Sequence, residues 1–139
     1  MKSEEWTAAS ANPQSTVRRV VEFWRQSFGE QKDSWPYTEK GDIHMIGIEH
    51  GCAVCYARIE KNNKVTQNTH VNDLCVSPRC RNRGIGGLFM EYIKSKYKTL
   101  SLDVDKHGKD FEYLVQWYKK FGFVVKMDIP CYCIMELKQ

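Results

Sequence analysis

The stretch from Leu74 to Leu88, L-C-V-S-P-R-C-R-N-R-G-I-G-G-L, decides how the rest of the chain is read. An apolar run stops at Ser77-Pro78, because proline pushes its predecessor toward extended backbone. R-N-R-G-I-G-G then opens an amphipathic segment in which Ile85, Leu88, Phe89, Tyr92 and Ile93 fall at helical spacing. Glycines at a helix start let backbone N–H groups approach an anion, and the helix dipole favours negative charge there. Arg79, Arg81 and Arg83 crowd the same few residues. The pattern describes a cradle for a phosphate-bearing ligand; a plain glycine-rich helix start is the alternative. It is not a Walker loop, since no G-K-[ST] occurs, and G-I-G-G does not fit the dinucleotide G-x-G-x-x-G.

The same residues resemble motif A of the GCN5-related N-acetyltransferases (GNAT), whose core is Gln/Arg-x-x-Gly-x-Gly/Ala. Arg81, Gly84 and Gly86 fill those positions. About thirty residues later, Q-W-Y-K-K-F-G-F resembles motif B of that family, with Tyr118 ahead of Gly122-Phe123. The similarity runs from about His70 to Phe123, and the N-terminal half agrees in element order. At the start of motif B, Phe111 and Leu114 stand where the family often has Asn and a small residue.

The resemblance implies a mixed α+β fold: a single domain over residues 1–139, with a mostly antiparallel sheet of six to seven strands and helices on both faces. It also implies acetyl transfer from acetyl-CoA to an amine. The amides of Arg81, Asn82, Arg83, Gly84, Ile85, Gly86 and Gly87 would hold the cofactor's pyrophosphate. The backbone of Leu74, Cys75 and Val76 would bond the pantetheine arm where two strands part. Tyr118 would protonate the departing thiolate.

The chemistry also needs a group to take a proton from the acceptor amine, whose lysine-like pKa is about 10.4. Histidine is the residue type most often suited to such proton transfer, and His70 lies on the strand that feeds the loop, T-H-V-N-D-L-C-V. Strict alternation puts His70, Asn72 and Leu74 on one face of it. An ordinary strand histidine is the alternative. Glu49, near the end of the preceding hairpin's first strand, is the second candidate base. Cys75 and Cys80 lack a paired base within the motif, so no acetyl-cysteine is required.

Working outward, residues 2–9 read as a weak strand of edge character. Asn12-Pro13 opens a helix that Gly29 closes, and residues 30–40 form a polar loop carrying Trp35 and Tyr37, which could line an acceptor site. A hairpin turns near His50-Gly51, with Ala53, Cys55, Ala57 and Ile59 on one face of its second strand. Residues 69–104 form a β-α-β unit, expected to be right-handed. Phe111, Leu114, Val115 and Tyr118 mark a further helix ending at Gly122, and two strands close the chain.

Composition sets the outer bounds. The 139 residues amount to about one domain of typical size. With 42% hydrophobic and 27% charged residues, the chain is not intrinsically disordered. No run approaches the roughly 20 apolar residues of a membrane span. The N-terminus, M-K-S-E-E-W-T, has no signal-peptide pattern, so a cytoplasmic or nuclear protein is expected. Six cysteines are then expected to be reduced and mostly buried, and no metal site is expected. The net charge of +4 is dispersed and fits an anionic small ligand. A basic nucleic-acid-binding module is one rival, although no RNP-type or helix-turn-helix pattern is present. A non-catalytic acyl-CoA-binding protein of the same fold is the other. The sequence names neither the amine acceptor (protein or small molecule) nor an oligomeric state.

Overall fold

The computed structural model describes residues 1–7 and 42–139. The helix and the aromatic loop expected between Asn12 and Lys40, with Trp35 and Tyr37, lie outside the described residues. Within them the chain runs β1 (Lys2–Thr7), β2 (Ile43–Glu49), β3 (Cys52–Glu60), β4 (Thr69–Val76), α1 (Ile85–Lys96), β5 (Thr99–Asp105), α2 (Phe111–Lys120), β6 (Val124–Asp128) and β7 (Tyr132–Lys138). The strands form one sheet in the order β1-β2-β3-β4-β5-β7-β6. Only the central pair, β4 with β5, is parallel. This is the mixed, mostly antiparallel α+β architecture expected from the sequence.

Local chemistry explains the turns. His50 and Gly51 both have positive φ (52° and 78°), as the two central residues of a tight hairpin turn require. Gly122 (φ 101°) ends α2, with Phe123 N–H donating to the Tyr118 carbonyl and Gly122 N–H to that of Lys119. A Cβ at Gly122 would come within 2.9 Å of Leu137. Glycine is favoured there by the backbone angle, and a Cβ would also press on the end of the Leu137 side chain.

Both described helices contribute to one apolar core. Ile85, Phe89, Met90 and Ile93 of α1, with Val115 and Tyr118 of α2, pack on Met45, Ala57, Val71, Leu100, Leu102, Val104, Met135 and Leu137. Helix α1 departs from the expected stripe, because Leu88 is 60% exposed and Met90 is fully buried instead. Gly86 explains this rotation. A Cβ there would lie 3.3 Å from both Trp117 and Val76, so the side of α1 carrying Gly86 and Met90 is drawn inward.

Two bulges correct the expected strand faces. Val54 has no partner between the pairs Gly47–Cys55 and Ile48–Ala53. It therefore joins Cys55, Ala57 and Ile59 in the main core, while Ala53 falls on the other face with Ile46 and Tyr56. On β4, Asp73 and Leu74 together oppose Ala57, and Asp73 takes a φ of 57°. The extra residue turns Leu74 and Val76 toward the core of Val71, and Cys75 to the opposite face. Leu74 does not share the face of His70 and Asn72.

Cys55, Cys75 and Cys133 are buried, Cys80 is half-buried, and Cys52 and Cys131 are exposed. The expectation of buried thiols holds for the first three. Burial pushes the Cys55 thiol up to about 12, which keeps it protonated.

Candidate active site

The loop from β4 to α1 is shaped by its backbone. Ser77 N–H donates to the Val54 carbonyl (2.8 Å), and Pro78–Cys80 make one tight turn. Asn82 (φ 64°) and Gly84 (φ 77°) then take left-handed conformations, and Gly84 caps α1. Among the described residues no side chain caps this helix, and its first turn holds no acid. Its leading N–H groups are thus left for water or an anion, and residues 81–84 are exposed.

The arginines are arranged less simply than their spacing suggested. Arg81 Nε folds back to donate to the Val76 carbonyl (3.2 Å). Arg83 reaches across to Glu49 (Nη2 to Oε1, 3.0 Å) and ties the hairpin tip to the loop. Glu49, the second candidate base, is therefore already held by a guanidinium. Gly86 packs closely against Trp117 and Val76, where a Cβ would lie 3.3 Å from each, a contact the sequence did not reveal. Gly87 has room, its nearest would-be neighbour being Phe121 at 3.7 Å.

Beside the loop the sheet opens. Strands β4 and β5 pair only through Thr69–Leu100, His70–Ser101 and Val71–Leu102. Beyond Val71, β4 continues to Val76 paired with β3 alone, while β5 continues to Asp105 paired with β7. The edge of β4 carrying Leu74, Cys75 and Val76 thus faces a gap whose mouth lies next to the α1 loop.

Tyr118 lies on the core side of the sheet. Its ring meets Trp117 and Phe123 edge-on (centroids 5.3 and 5.8 Å). The residue is 8% exposed, and its hydroxyl has no hydrogen-bond partner among the described residues. Burial, with the nearby Cys75, pushes its ionisation up to about 12, so the phenol holds its proton at neutral pH. A buried hydroxyl without a partner costs free energy, and in a native protein it calls for an explanation.

His70 is on the opposite face, 2% exposed. Its Nδ1 lies 2.7 Å from Ser101 Oγ, and its Nε2 lies 3.5 Å from Asp103 Oδ1. Neither Ser101 nor Asp103 was singled out in the sequence. The available signal was polar residues alternating with Leu100, Leu102 and Val104 on a central strand. The same face buries a second polar group of Asp42, His44, Tyr56 and Arg58. Arg58 bonds Asp42 (2.9 Å) and Asp73 (3.2 Å), and His44 Nδ1 lies 2.8 Å from the Tyr56 hydroxyl. No group of three metal-ligating side chains occurs among the described residues. No helix among them is long and apolar enough to cross a membrane.

Known proteins share this fold. An acyl-CoA N-acyltransferase from Pseudomonas aeruginosa superposes with a TM-score of 0.76 at 14% identity, over 98% of each chain. The aminoglycoside 6'-N-acetyltransferase from Enterococcus faecium gives 0.77 at 13% identity, over 99% of this chain and 97% of that one. An aminoglycoside 6'-N-acetyltransferase complexed with coenzyme A gives 0.69 at 15%, again over 99% and 97%. At these identities the likeness is one of fold. No curated protein matches the chain significantly in sequence. The family model for the acetyltransferase (GNAT) domain matches residues 39–125, well over half the chain, and with it the loop, the open seam and Tyr118. The chain belongs to the GNAT acetyltransferase family.

Proposed function

We propose that this protein is a single-domain N-acetyltransferase that moves the acetyl group of acetyl-CoA directly to a primary amine. One observation carries the reading: a gap in the sheet begins at a loop whose helix amides have no side-chain cap among the described residues, and nearby lies a buried tyrosine hydroxyl with no hydrogen-bond partner among them. A coenzyme A pyrophosphate suits the N–H groups of residues 81–87. The free edge of β4 at Leu74–Val76 suits the amide-rich pantetheine arm, and a β4 N–H can polarise the acetyl carbonyl. The similarity to a structure complexed with coenzyme A supports this placement.

The residues divide the proton work between the two sides of the sheet. His70 takes a proton from the acceptor ammonium, and the neutral amine attacks the acetyl carbon. As the C–N bond forms and the C–S bond breaks, Tyr118 gives its proton to the thiolate. The proton then leaving nitrogen restores the phenol. Such positioned acid and base groups are worth about 10²–10⁴-fold. Glu49, held by Arg83, serves the loop instead.

Thiol release from acetyl-CoA across a panel of amines tests the reading, beside a thermal shift. At about 100 times Kd, the cofactor should add ~2.7 kcal/mol, or several degrees in Tm. No shift at millimolar acetyl-CoA would sink it. A shift without turnover on any amine would leave an acyl-CoA-binding protein.

A further inference from the structure

Three carboxylates surround buried His70, and they differ in what they already hold. Glu60, opposite His70 on β3, accepts from the amides of Asn63 (2.9 Å) and Asn72 (3.2 Å). Glu136 on β7, opposite Ser101, accepts from Asn68 (2.9 Å) and lies 3.5 Å from the Lys138 ammonium. Asp103 has His70 as its one partner among the described residues, and its side chain is 51% exposed. It is also the first β5 residue beyond the last β4–β5 pair, Val71–Leu102, so it stands at the crotch where the seam opens.

The hydrogen bonds behind it set the imidazole. Ser101 Oγ donates to Thr66 Oγ1 (2.8 Å) and lies 2.7 Å from His70 Nδ1, an arrangement compatible with the tautomer that carries its proton on Nδ1. Nε2, able to accept a proton in that tautomer, is turned toward the Asp103 carboxylate at 3.5 Å. Nε2 and the carboxylate are then two acceptors side by side, a pair that favours a cation or a donor next to them.

We infer that Asp103 is the acceptor-binding carboxylate: it receives the ammonium group of a cationic primary amine at the open end of the seam and presents it to Nε2 of His70. The inference rests on the acetyl-transfer reading above. One proton passes from the ammonium nitrogen to Nε2, directly or through one water. The resulting imidazolium is held by Asp103 on one side and Ser101 on the other, and the amine is left neutral beside the carboxylate. Asp103 supplies the charge recognition, and His70 the proton site.

The test compares wild type, Asp103→Asn and Asp103→Glu, using the best acceptor among lysine methyl ester, a lysine peptide and spermidine. The expected result for Asp103→Asn is a KM for the amine raised at least about tenfold, with acetyl-CoA Kd within twofold of wild type. Asp103→Glu keeps the charge and is expected to recover most of that loss. Asn and Glu variants with equal defects, or an Asn variant with unchanged KM, overturn the inference. A matching loss of acetyl-CoA affinity in Asp103→Asn also overturns it, because the residue would then serve the cofactor. A wild type that binds no acetyl-CoA is a different result, and it removes the acetyl-transfer reading itself.

Discussion

The two faces of this sheet solve opposite problems. The face under α1 and α2 is filled by Met45, Val71, Phe89, Met90, Ile93, Leu100, Leu102 and Met135, all close to fully buried. Tyr118 brings that layer a buried hydroxyl. The other face buries Asp42, His44, Arg58, His70 and Ser101 and satisfies them through ion pairs and hydrogen bonds. Apolar packing gives stability at little risk. A buried polar layer is expensive unless every partner is present, so it is kept where charge must be handled. The comparison teaches that apolar packing and buried charge are assigned to separate sides of one sheet, with the open seam between them.

Breaking either layer should be costly for different reasons. Phe89→Ala should lose about 3–5 kcal/mol through the cavity it leaves. Arg58→Ala should lose a similar ~3–5 kcal/mol, because the carboxylates of Asp42 and Asp73 would lose the guanidinium that pairs with both. Urea unfolding measures both. Salt separates them, since only the second loss is electrostatic.

The polar face should also carry a pH signature. Burial pulls the His44 imidazole down to about 4 from 6.5, with Arg58 reinforcing the effect and Asp42 opposing it. The unfolded chain then binds more protons than the folded one between those values. The stability is full above about pH 6.5 and declines as pH falls toward 4, by up to about 3 kcal/mol in all. His44→Gln should flatten that slope in a series of denaturant titrations. An unchanged slope would place the titration elsewhere.

Smaller effects sharpen the division. Tyr118→Phe removes a buried hydroxyl without a described partner, so stability should hold or rise while kcat falls at least about tenfold. A large loss of stability with unchanged kcat would make Tyr118 a packing residue. Gly87→Asp puts an acid in the first turn of α1, where there is space. Helix stability should hold or rise by a few tenths of a kcal/mol, yet acetyl-CoA affinity should fall several-fold by repulsion of phosphate. Calorimetry reads both in one sample.

Most of the architecture was legible because period and turn chemistry agree: V-S-P stops a strand, H-G turns a hairpin, and G-F ends a helix. The loop from Arg81 to Gly87 was legible from glycine spacing. The bulges were not, since nothing in A-V-C or N-D-L distinguishes a bulged strand from a regular one. Leu88 was misplaced because periodicity gives a stripe and only the contact of Gly86 with Trp117 fixes its rotation. Asp103 was missed because it becomes notable only when β5 is set beside His70 across a seam that sequence alone does not align.

The seam has a consequence for how the protein opens. Among the described strands, Thr69–Val71 against Leu100–Leu102 is the one backbone pairing between β1–β4 and β5–β7, whereas β5 runs along β7 from Thr99 to Asp105. Hairpins join β2 to β3, β3 to β4 and β6 to β7, while the seam must close across the α1 crossover. It is the strand pairing expected to open most readily in sub-global fluctuation, with the shared core of α1 and α2 bridging the two halves. A molecule wedged along β4 would act as mortar there, and its arrival should appear as slowed amide exchange in both halves at once.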